Sequence, residues 1–277
     1  MGCSVSPRKE PQVGSSTSPE FCIDMTLRSR LIPVLLLRNG SLVKTTRFSD
    51  DKYVGDPINA IRIFNEKEAD ELLIADIGAT MQGKGPDFDS IRKFAAECRM
   101  PLAYVGGIQE MTQIERLINI GVEKIGISSE GFKNPELIAA AAQEIGSQSV
   151  MGVIDVTRTN QTFKVFTHNG TQSVASNLPE ILNSFQTAGV GEIVVNSIDR
   201  DGTMQGFDRE LVQEVMAHVS VPVTIVGGAS DLDDCVSLDR EFGPLGIGVG
   251  SLFVFKGKFK AVLITYPPPS ERTKLFS

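Results

Sequence analysis

Clustered cysteines, long apolar runs and nucleotide-binding loops are features that this sequence lacks. Its four cysteines form no CxxC pair and have no close histidine partner, so neither a zinc site nor a disulfide framework is indicated. The apolar residues 31–37 are too few to cross a bilayer, which needs about 20. A phosphate loop of the GxxxxGKS or GxxxxGKT type is also missing. We therefore expect a protein of the reducing cytoplasm with no membrane partner, no metal and no bound cofactor.

A surplus of positive charge is missing as well. The 277 residues include 34 acidic and 27 basic side chains, and the resulting net charge of −7 argues against nucleic acid as a partner. An anionic substrate would have to be held by local donors. The length suits one domain of the α/β-barrel class, which needs about 250 residues.

Two halves of the chain resemble each other at a constant offset. Residues 71–80 are similar to residues 192–203, and residues 101–108 are similar to residues 222–229, each pair being 121 positions apart (192 − 71 and 222 − 101). Each half supplies four apolar strand-like runs separated by helical stretches. This pattern predicts an α/β fold, a single (β/α)8 TIM barrel built from two half-barrel repeats. An open doubly wound sheet is the alternative, but it gives no reason for a shared offset.

The boundaries follow from the same pattern. We place the barrel at residues 25–277, with half-barrels at about 28–147 and 148–266. Residues 1–24 are rich in serine, proline, glycine and charge, and we interpret them as a disordered leader or a remnant of cloning. The predicted barrel strands are residues 31–37, 72–77, 102–105, 124–127, 150–156, 192–197, 223–226 and 247–249.

Glycines and serines cluster where predicted strands end. At the carboxyl ends of barrel strands, glycines allow backbone N–H groups to approach an oxyanion, and a following helix adds a favourable dipole. Two matched clusters predict a ligand with two phosphates or a pyrophosphate, although any single glycine pair could simply make a tight turn. The clusters are Gly106, Gly107, Ser128 and Ser129 in the first half, and Gly202, Gly227, Gly228, Gly250 and Ser251 in the second.

Acidic and basic side chains lie close to these clusters. Asp155 ends a wholly apolar strand, where poor hydration would raise the pKa of its carboxyl and suit it to proton transfer. Its counterpart in the other half is Leu36, which excludes a two-carboxylate shuttle. Lys44 lies in a segment of roughly 18 residues that we expect to cover the mouth as a loop. Asp76, Asn196 and Asp201 complete the predicted substrate contacts.

Four charged residues stand at the opposite ends of the predicted strands. Two are cations and two are anions, so they must pair if they point inward, because unpaired buried charge is unfavourable. Such a ring would gate the barrel axis, whereas a solvated rim is the alternative. The four residues, called the charge ring below, are Arg30, Glu71, Lys124 and Glu192.

These residues together resemble the cyclase subunit of imidazole glycerol phosphate synthase over about residues 30–255. The resemblance rests on the runs at residues 30–33, 55–57, 153–155 and 197–203. It implies a glutaminase partner at the N-terminal face of the barrel. Ammonia would then enter past the charge ring and react at the upper end.

Two departures from that family shape the functional prediction. The family's first catalytic aspartate is replaced by Leu36, and its Asn-Thr phosphate pair by Ser128-Ser129. The stretches at residues 35–45 and 250–267 look like a branch of that family linked to the acetamidino modification of surface-polysaccharide sugars. We predict an ammonia-using synthase subunit that forms an acetamidino group on an N-acetylated, UDP-linked or otherwise phosphorylated sugar for lipopolysaccharide O-antigen, with Asp155 and Lys44 as catalytic residues. The alternatives are the histidine-pathway cyclase itself and a non-catalytic barrel that activates a glutaminase.

Overall fold

Eight parallel strands close into a barrel in this computed structural model, which describes residues 1–2 and 28–276. Each barrel strand pairs with the next one in the chain, and the eighth pairs with the first from Arg30–Gly246 to Pro33–Val249. The single (β/α)8 barrel is thereby confirmed. Most of the predicted leader lies outside the described residues. In chain order the barrel strands, one to eight, are Arg30–Arg38, Leu72–Asp76, Leu102–Val105, Lys124–Ile127, Val150–Thr159, Glu192–Ser197, Val223–Val226 and Gly246–Val249.

Helices cover the outside of the barrel because the strands are apolar on both faces. In strand one, Ile32 and Val34 face the barrel interior, whereas Leu31 and Leu35 pack against the outer helices. The interior and the outer layer are therefore two separate apolar clusters. The longer helices are Pro57–Glu66, Phe88–Glu97, Met111–Asn119, Pro135–Ile145, Leu178–Ala188, Arg209–Met216 and Leu232–Phe242, and the shorter ones are Ser129–Lys133, Ser251–Val254 and Pro269–Leu275.

The helix starts repeat between the two halves. The predicted cap Asp56 accepts a hydrogen bond from the Asn59 backbone N–H, and Pro57 follows it at the first helical position. Asp87 and Asp208, which are 121 positions apart (208 − 87), cap the helices after strands two and six in the same way. The internal repeat therefore extends to the local hydrogen bonds that begin the helices.

The segment after strand one forms a β-hairpin, so its prediction as a loop was wrong. Strand one continues to Arg38, turns at Asn39-Gly40 with positive φ at both residues, and pairs with Ser41–Thr46, which pairs with Ser49–Gly55. Asn-Gly favours this tight turn, and the following Val and Thr residues favour strand. A second hairpin follows strand five, whose end pairs with Thr162–Thr167, which pairs with Gln172–Ser173.

A short segment replaces the eighth outer helix. Ser251–Val254 is followed by a two-stranded hairpin, Phe255–Lys256 with Ala261–Val262, and then by an extended tail. Gly257 supplies the positive φ of the hairpin turn, and the prolines at 267–269 prevent a longer helix over the tail.

The absence of a side chain at Gly152 lets Phe185, on the outer helix Leu178–Ala188, lie close to strand five. A Cβ at this position of strand five would overlap the ring of the fully buried Phe185. We expect Gly152→Ala to lower the free energy of unfolding by about 1–3 kcal/mol, although alanine is ordinarily preferred to glycine in a strand. In the Phe185→Leu background the same change should lower it by less than about 1 kcal/mol, because the clash is relieved. Denaturant titration of the four proteins tests this, and equal losses in both backgrounds would contradict it.

Candidate functional site

A cavity of about 350 Å³ opens at the carboxyl ends of the barrel strands. We call it the mouth cavity. All fourteen residues predicted to act on or bind the substrate line it, so the fold brings them together, while their roles stay predictions. Sequence reasoning missed several further lining residues that depend on the two hairpins, because their approach to the mouth is a tertiary property. These are Arg38, Thr45, Phe48, His168 and Asn169.

Asp155 is the carboxylate at the centre of this site. Burial raises the pKa of its carboxyl to about 7; the Asn196 amide, 3.3 Å from Oδ1, lowers it, and the negative charge of Asp201 raises it. The Asn196 Oδ1 atom is buried without a partner among the described residues. The pair therefore offers a carboxyl that changes protonation near neutral pH beside a free acceptor.

Lys44 projects into the mouth cavity from the first hairpin. Its Nζ donates a hydrogen bond to the Val34 carbonyl at 2.6 Å, and the residue is only 5% exposed. Burial lowers the pKa of the ammonium to about 8, and Asp201 opposes that change. Register shifts flank Lys44 in the hairpin, and such bulges re-aim side chains. A Cβ at position 250 would lie 2.8 Å from Nζ, so Gly250 makes room for the lysine.

Asp201 holds the first hairpin against the mouth. Its carboxylate accepts hydrogen bonds from the Thr45 hydroxyl at 2.7 Å and from the Phe48 backbone N–H at 3.4 Å. Burial raises the pKa of Asp201, while Thr45 and Lys44 lower it. Across the mouth, the Asn169 amide of the second hairpin donates to the Ile77 carbonyl at 2.7 Å. Each half-barrel thus places a hairpin on the loop of the other half.

Leu36 occupies the position in the first half that Asp155 occupies in the second. Leu36 pairs with Ala75 of strand two and Val43 of the hairpin, and Asp155 pairs in the same manner with Asn196 and Phe166. Both side chains line the mouth cavity. The two-fold arrangement of the barrel is therefore broken chemically at this position, where one half has a carboxylate and the other a leucine.

Two turns of matching geometry flank the mouth cavity. Gly106 and Gly227 both have positive φ, and a Cβ there would lie 2.5 Å from the Asp76 carbonyl and 2.8 Å from the Ser197 carbonyl, respectively. Ser128 and Gly250 then precede the short helices Ser129–Lys133 and Ser251–Val254. The Asp76 carboxylate itself accepts from the backbone of Gly78 and Ala79, and burial raises its pKa.

The charge ring closes the opposite end of the barrel axis. Arg30 donates to both Glu71 and Glu192, and the Lys124 ammonium lies 2.9 Å from a Glu71 oxygen and 2.8 Å from a Glu192 oxygen. Thr224 adds a hydrogen bond to Glu192 at 2.5 Å. The two glutamates are each 4% exposed, so a solvated rim does not describe this arrangement. Whether the ring gates a passage stays a prediction.

An apolar column separates the charge ring from the mouth cavity. Burial raises the pKa of the Glu192 carboxyl, but Arg30, Lys124 and its hydrogen bonds together hold that pKa below its ordinary value. The Glu192 carboxylate is consequently ionised at neutral pH and is paired with both cations. The interior residues above it are Ile32, Val34, Leu73, Ala103, Met151, Val153, Val194 and Val226.

Fold and site together define a (β/α)8-barrel protein with the buried Asp155 carboxylate in a cavity flanked by two glycine-rich turns, and a paired charge ring at the other end of its axis. The chain belongs to the histidine biosynthesis protein family, whose profile matches residues 30–260.

Several similar proteins carry a provisional name, imidazole glycerol phosphate synthase subunit. One from Vibrio vulnificus (hisF3) is 50% identical over 250 residues, which cover 90% of this chain and 96% of that protein. One from Leptospira borgpetersenii is 47% identical over 252 residues, which cover 90% of this chain and 99% of that protein. One from Pseudomonas aeruginosa (hisF2) is 46% identical over 242 residues, which cover 87% of this chain and 96% of that protein. None of these three names mentions a nucleotide sugar.

Residues 1–2 and 28–276 also bear on the predictions about membranes and metals. No helix in this part of the chain has the length and apolarity needed to cross a membrane. The same residues contain no group of three or more histidine, cysteine, aspartate or glutamate side chains placed to hold a metal ion.

The raised pKa of Asp155 predicts how stability depends on pH. The folded protein binds this proton more tightly than the unfolded chain does, so the carboxyl favours folding at low pH and its contribution is lost as pH rises from about 4 to about 7. Between pH 5 and pH 8, we expect the wild type to lose about 1–3 kcal/mol of unfolding free energy relative to Asp155→Asn. Asp89→Asn, at an exposed helix position, is the control and should follow the wild type. Parallel profiles for wild type and Asp155→Asn would contradict the assignment.

Proposed function

We propose that this protein is the ammonia-using synthase subunit of a glutamine-dependent amidotransferase complex. A glutaminase partner at the N-terminal face releases ammonia, which passes the charge ring and the apolar column and reacts beside Asp155. The observation that carries this proposal is the alignment of ring, column and buried carboxylate on one barrel axis.

The chemistry of the column favours ammonia over ammonium. A neutral molecule of this size loses little on leaving water, whereas an isolated cation is strongly disfavoured in an apolar interior. The charge ring is already compensated by its own pairs, so it offers no unpaired carboxylate to trap a cation. Nitrogen would therefore arrive at the mouth cavity as a nucleophile with a free lone pair.

The residues of the mouth cavity suit such a reaction. Asp155, with a pKa near neutrality, accepts or returns a proton as the new C–N bond forms. Lys44 contributes a cation against an anionic substrate, and Asn196 presents an unused acceptor beside Asp155. The two glycine-rich turns belong to different half-barrels. Each turn therefore offers a place for one phosphoryl group.

Imidazole glycerol phosphate formation is the first candidate reaction. It is favoured by the provisional names of the relatives, which match nearly their whole length. Two phosphate cradles on opposite sides of the mouth also agree with a substrate that carries a phosphate at each end.

Formation of an acetamidino group on an N-acetylated nucleotide sugar for lipopolysaccharide O-antigen is the second candidate. Leu36 favours it, because cyclisation with two proton carriers has lost one of them. Here ammonia attacks the acetamido carbon, nitrogen replaces the amide oxygen, and that oxygen leaves as water. The two adjacent phosphates of UDP would together occupy one of the two glycine-rich turns.

An assay with both acceptors separates the candidates. The protein, its glutaminase and glutamine should convert one acceptor, either the cyclase precursor or a UDP-N-acetyl sugar, and mass spectrometry identifies which. The sugar product would be lighter by the difference between O and NH. Asp155→Asn should lower turnover by about 10²- to 10⁴-fold. Full output with this variant would favour the non-catalytic barrel, and no product from either acceptor would refute the proposal.

The leucine at position 36 provides a direct test of the cyclase reading. If the site remains that of a cyclase, Leu36→Asp restores the second carboxylate and should raise cyclisation by about 10²- to 10⁴-fold over the neutral control Leu36→Asn. If the acceptor is a sugar, the added charge should not help, and both variants should convert it no faster than the wild type. Initial rates with ammonium chloride as the nitrogen source measure this without the partner.

A further inference from the structure

The C-terminal tail returns to the end of the barrel that carries the charge ring. The family profile ends at residue 260, so most of the tail lies beyond the residues that it matches. Beyond the hairpin, the backbone N–H groups of Leu263 and Thr265 donate to the carbonyls of Val254 and Phe253, both at 2.9 Å. The chain then reaches the buried Tyr266 and the helix Pro269–Leu275.

Tyr266 links two segments at the lower end of the barrel. Its hydroxyl donates to the Leu31 carbonyl at 2.9 Å and accepts from the Asp70 backbone N–H at 3.1 Å. Its ring packs edge-on against Phe64 and Phe253, with ring centroids 6.1 and 5.1 Å away. The hydroxyl position is therefore fixed by packing on both sides.

Arg272 fixes the same place from the C-terminal helix. It is 4% exposed, donates to the Glu68 carbonyl at 2.7 Å and to the Pro267 carbonyl at 2.8 Å, and lies 3.3 Å from an Asp70 carboxylate oxygen. Its guanidinium stacks over the Tyr266 ring at 4.9 Å. A buried arginine with this many partners holds one geometry, because leaving it unpaired would be strongly unfavourable.

The two anchored segments carry half of the charge ring. Asp70 directly precedes Glu71, and Leu31 directly follows Arg30. The Asp70 carboxylate also accepts from the Leu31 backbone N–H at 3.3 Å, which ties the two segments to each other. Lys124 and Glu192 begin strands four and six, elsewhere on the barrel rim.

We propose that Tyr266 and Arg272 are positioning residues of the nitrogen inlet: the C-terminal tail clamps the starts of strands one and two and so fixes Arg30 and Glu71 within the charge ring. The inlet role of the ring rests on the function proposed above. Glu271 and Thr273, which flank Arg272 on the same helix, are exposed. The competing explanation is that the tail only covers the barrel core in place of an eighth helix.

Two variants with matched controls separate these explanations. Tyr266→Phe keeps the aromatic ring at position 266 and removes only its hydroxyl. Tyr104→Phe is its control, because the buried Tyr104 hydroxyl has no hydrogen-bond partner among the described residues. Arg272→Met removes the clamp arginine. Arg209→Met is its control, since Arg209 is ion-paired with Asp234 on the outer helices.

Hydrogen exchange of the full chain is the first measurement. In Tyr266→Phe and Arg272→Met, amides in residues 28–34 and 68–74 should exchange about three- to tenfold faster, while residues 190–197 keep the wild-type rate. The controls should leave both inlet segments unchanged. Unchanged exchange there, or an equal increase throughout the barrel, would overturn the proposal.

Turnover with each of two nitrogen sources, glutamine and ammonium chloride, is the second measurement. With the glutaminase present, the clamp variants should lose about tenfold in glutamine-driven turnover and less than about twofold with ammonium chloride, because dissolved ammonia also enters at the mouth. Equal losses with both sources would show that the tail acts on stability alone. If the wild type uses neither source, the proposed function fails, and hydrogen exchange still decides whether the clamp exists.

Discussion

Two cations and two glutamates meet at the lower end of the barrel axis, and their mutual pairing constrains everything above them. Arg30, Glu71, Lys124 and Glu192 come from four different strands, and each cation contacts both glutamates. Removing any one would leave a buried charge uncompensated, and that is strongly unfavourable. The starts of strands one, two, four and six are therefore held in one register, which also sets where these strands end at the mouth.

The mouth shows how a duplicated fold becomes chemically asymmetric. Both half-barrels provide a glycine-rich turn, a short helix and a hairpin that crosses to the other half. At the matched ends of strands one and five, only the second half keeps a carboxylate, since Leu36 stands where Asp155 stands in the other half. Burial favours the neutral form of both ionisable groups. It raises the pKa of the Asp155 carboxyl to about 7 and lowers the pKa of the Lys44 ammonium to about 8. The neutral range is where both groups can change protonation.

The additions to the barrel act at its two ends. The first hairpin covers the mouth and is held by Asp201, while the C-terminal tail reaches the charge ring through Tyr266 and Arg272. The tail exists because the eighth helix is short and the prolines that follow Tyr266 cannot extend it. What an ordinary barrel of this kind would use as a covering helix is here a connection between the outer layer and the starts of strands one and two.

Sequence by itself determined the barrel and the strand-end residues that line the mouth cavity. Parallel neighbouring strands follow chain order in this fold, so residues that end successive strands, such as Gly106, Asp155 and Gly227, must meet at one end. The same logic gathered the charge ring at the other end. The loop predicted around Lys44 was wrong because strand pairing with Leu36 and its neighbours decides that segment. Only the tertiary structure could decide the burial of Lys44, the Thr45–Asp201 contact and the Tyr266–Leu31 contact, because each depends on atoms brought together from distant positions, in the last case 235 residues apart.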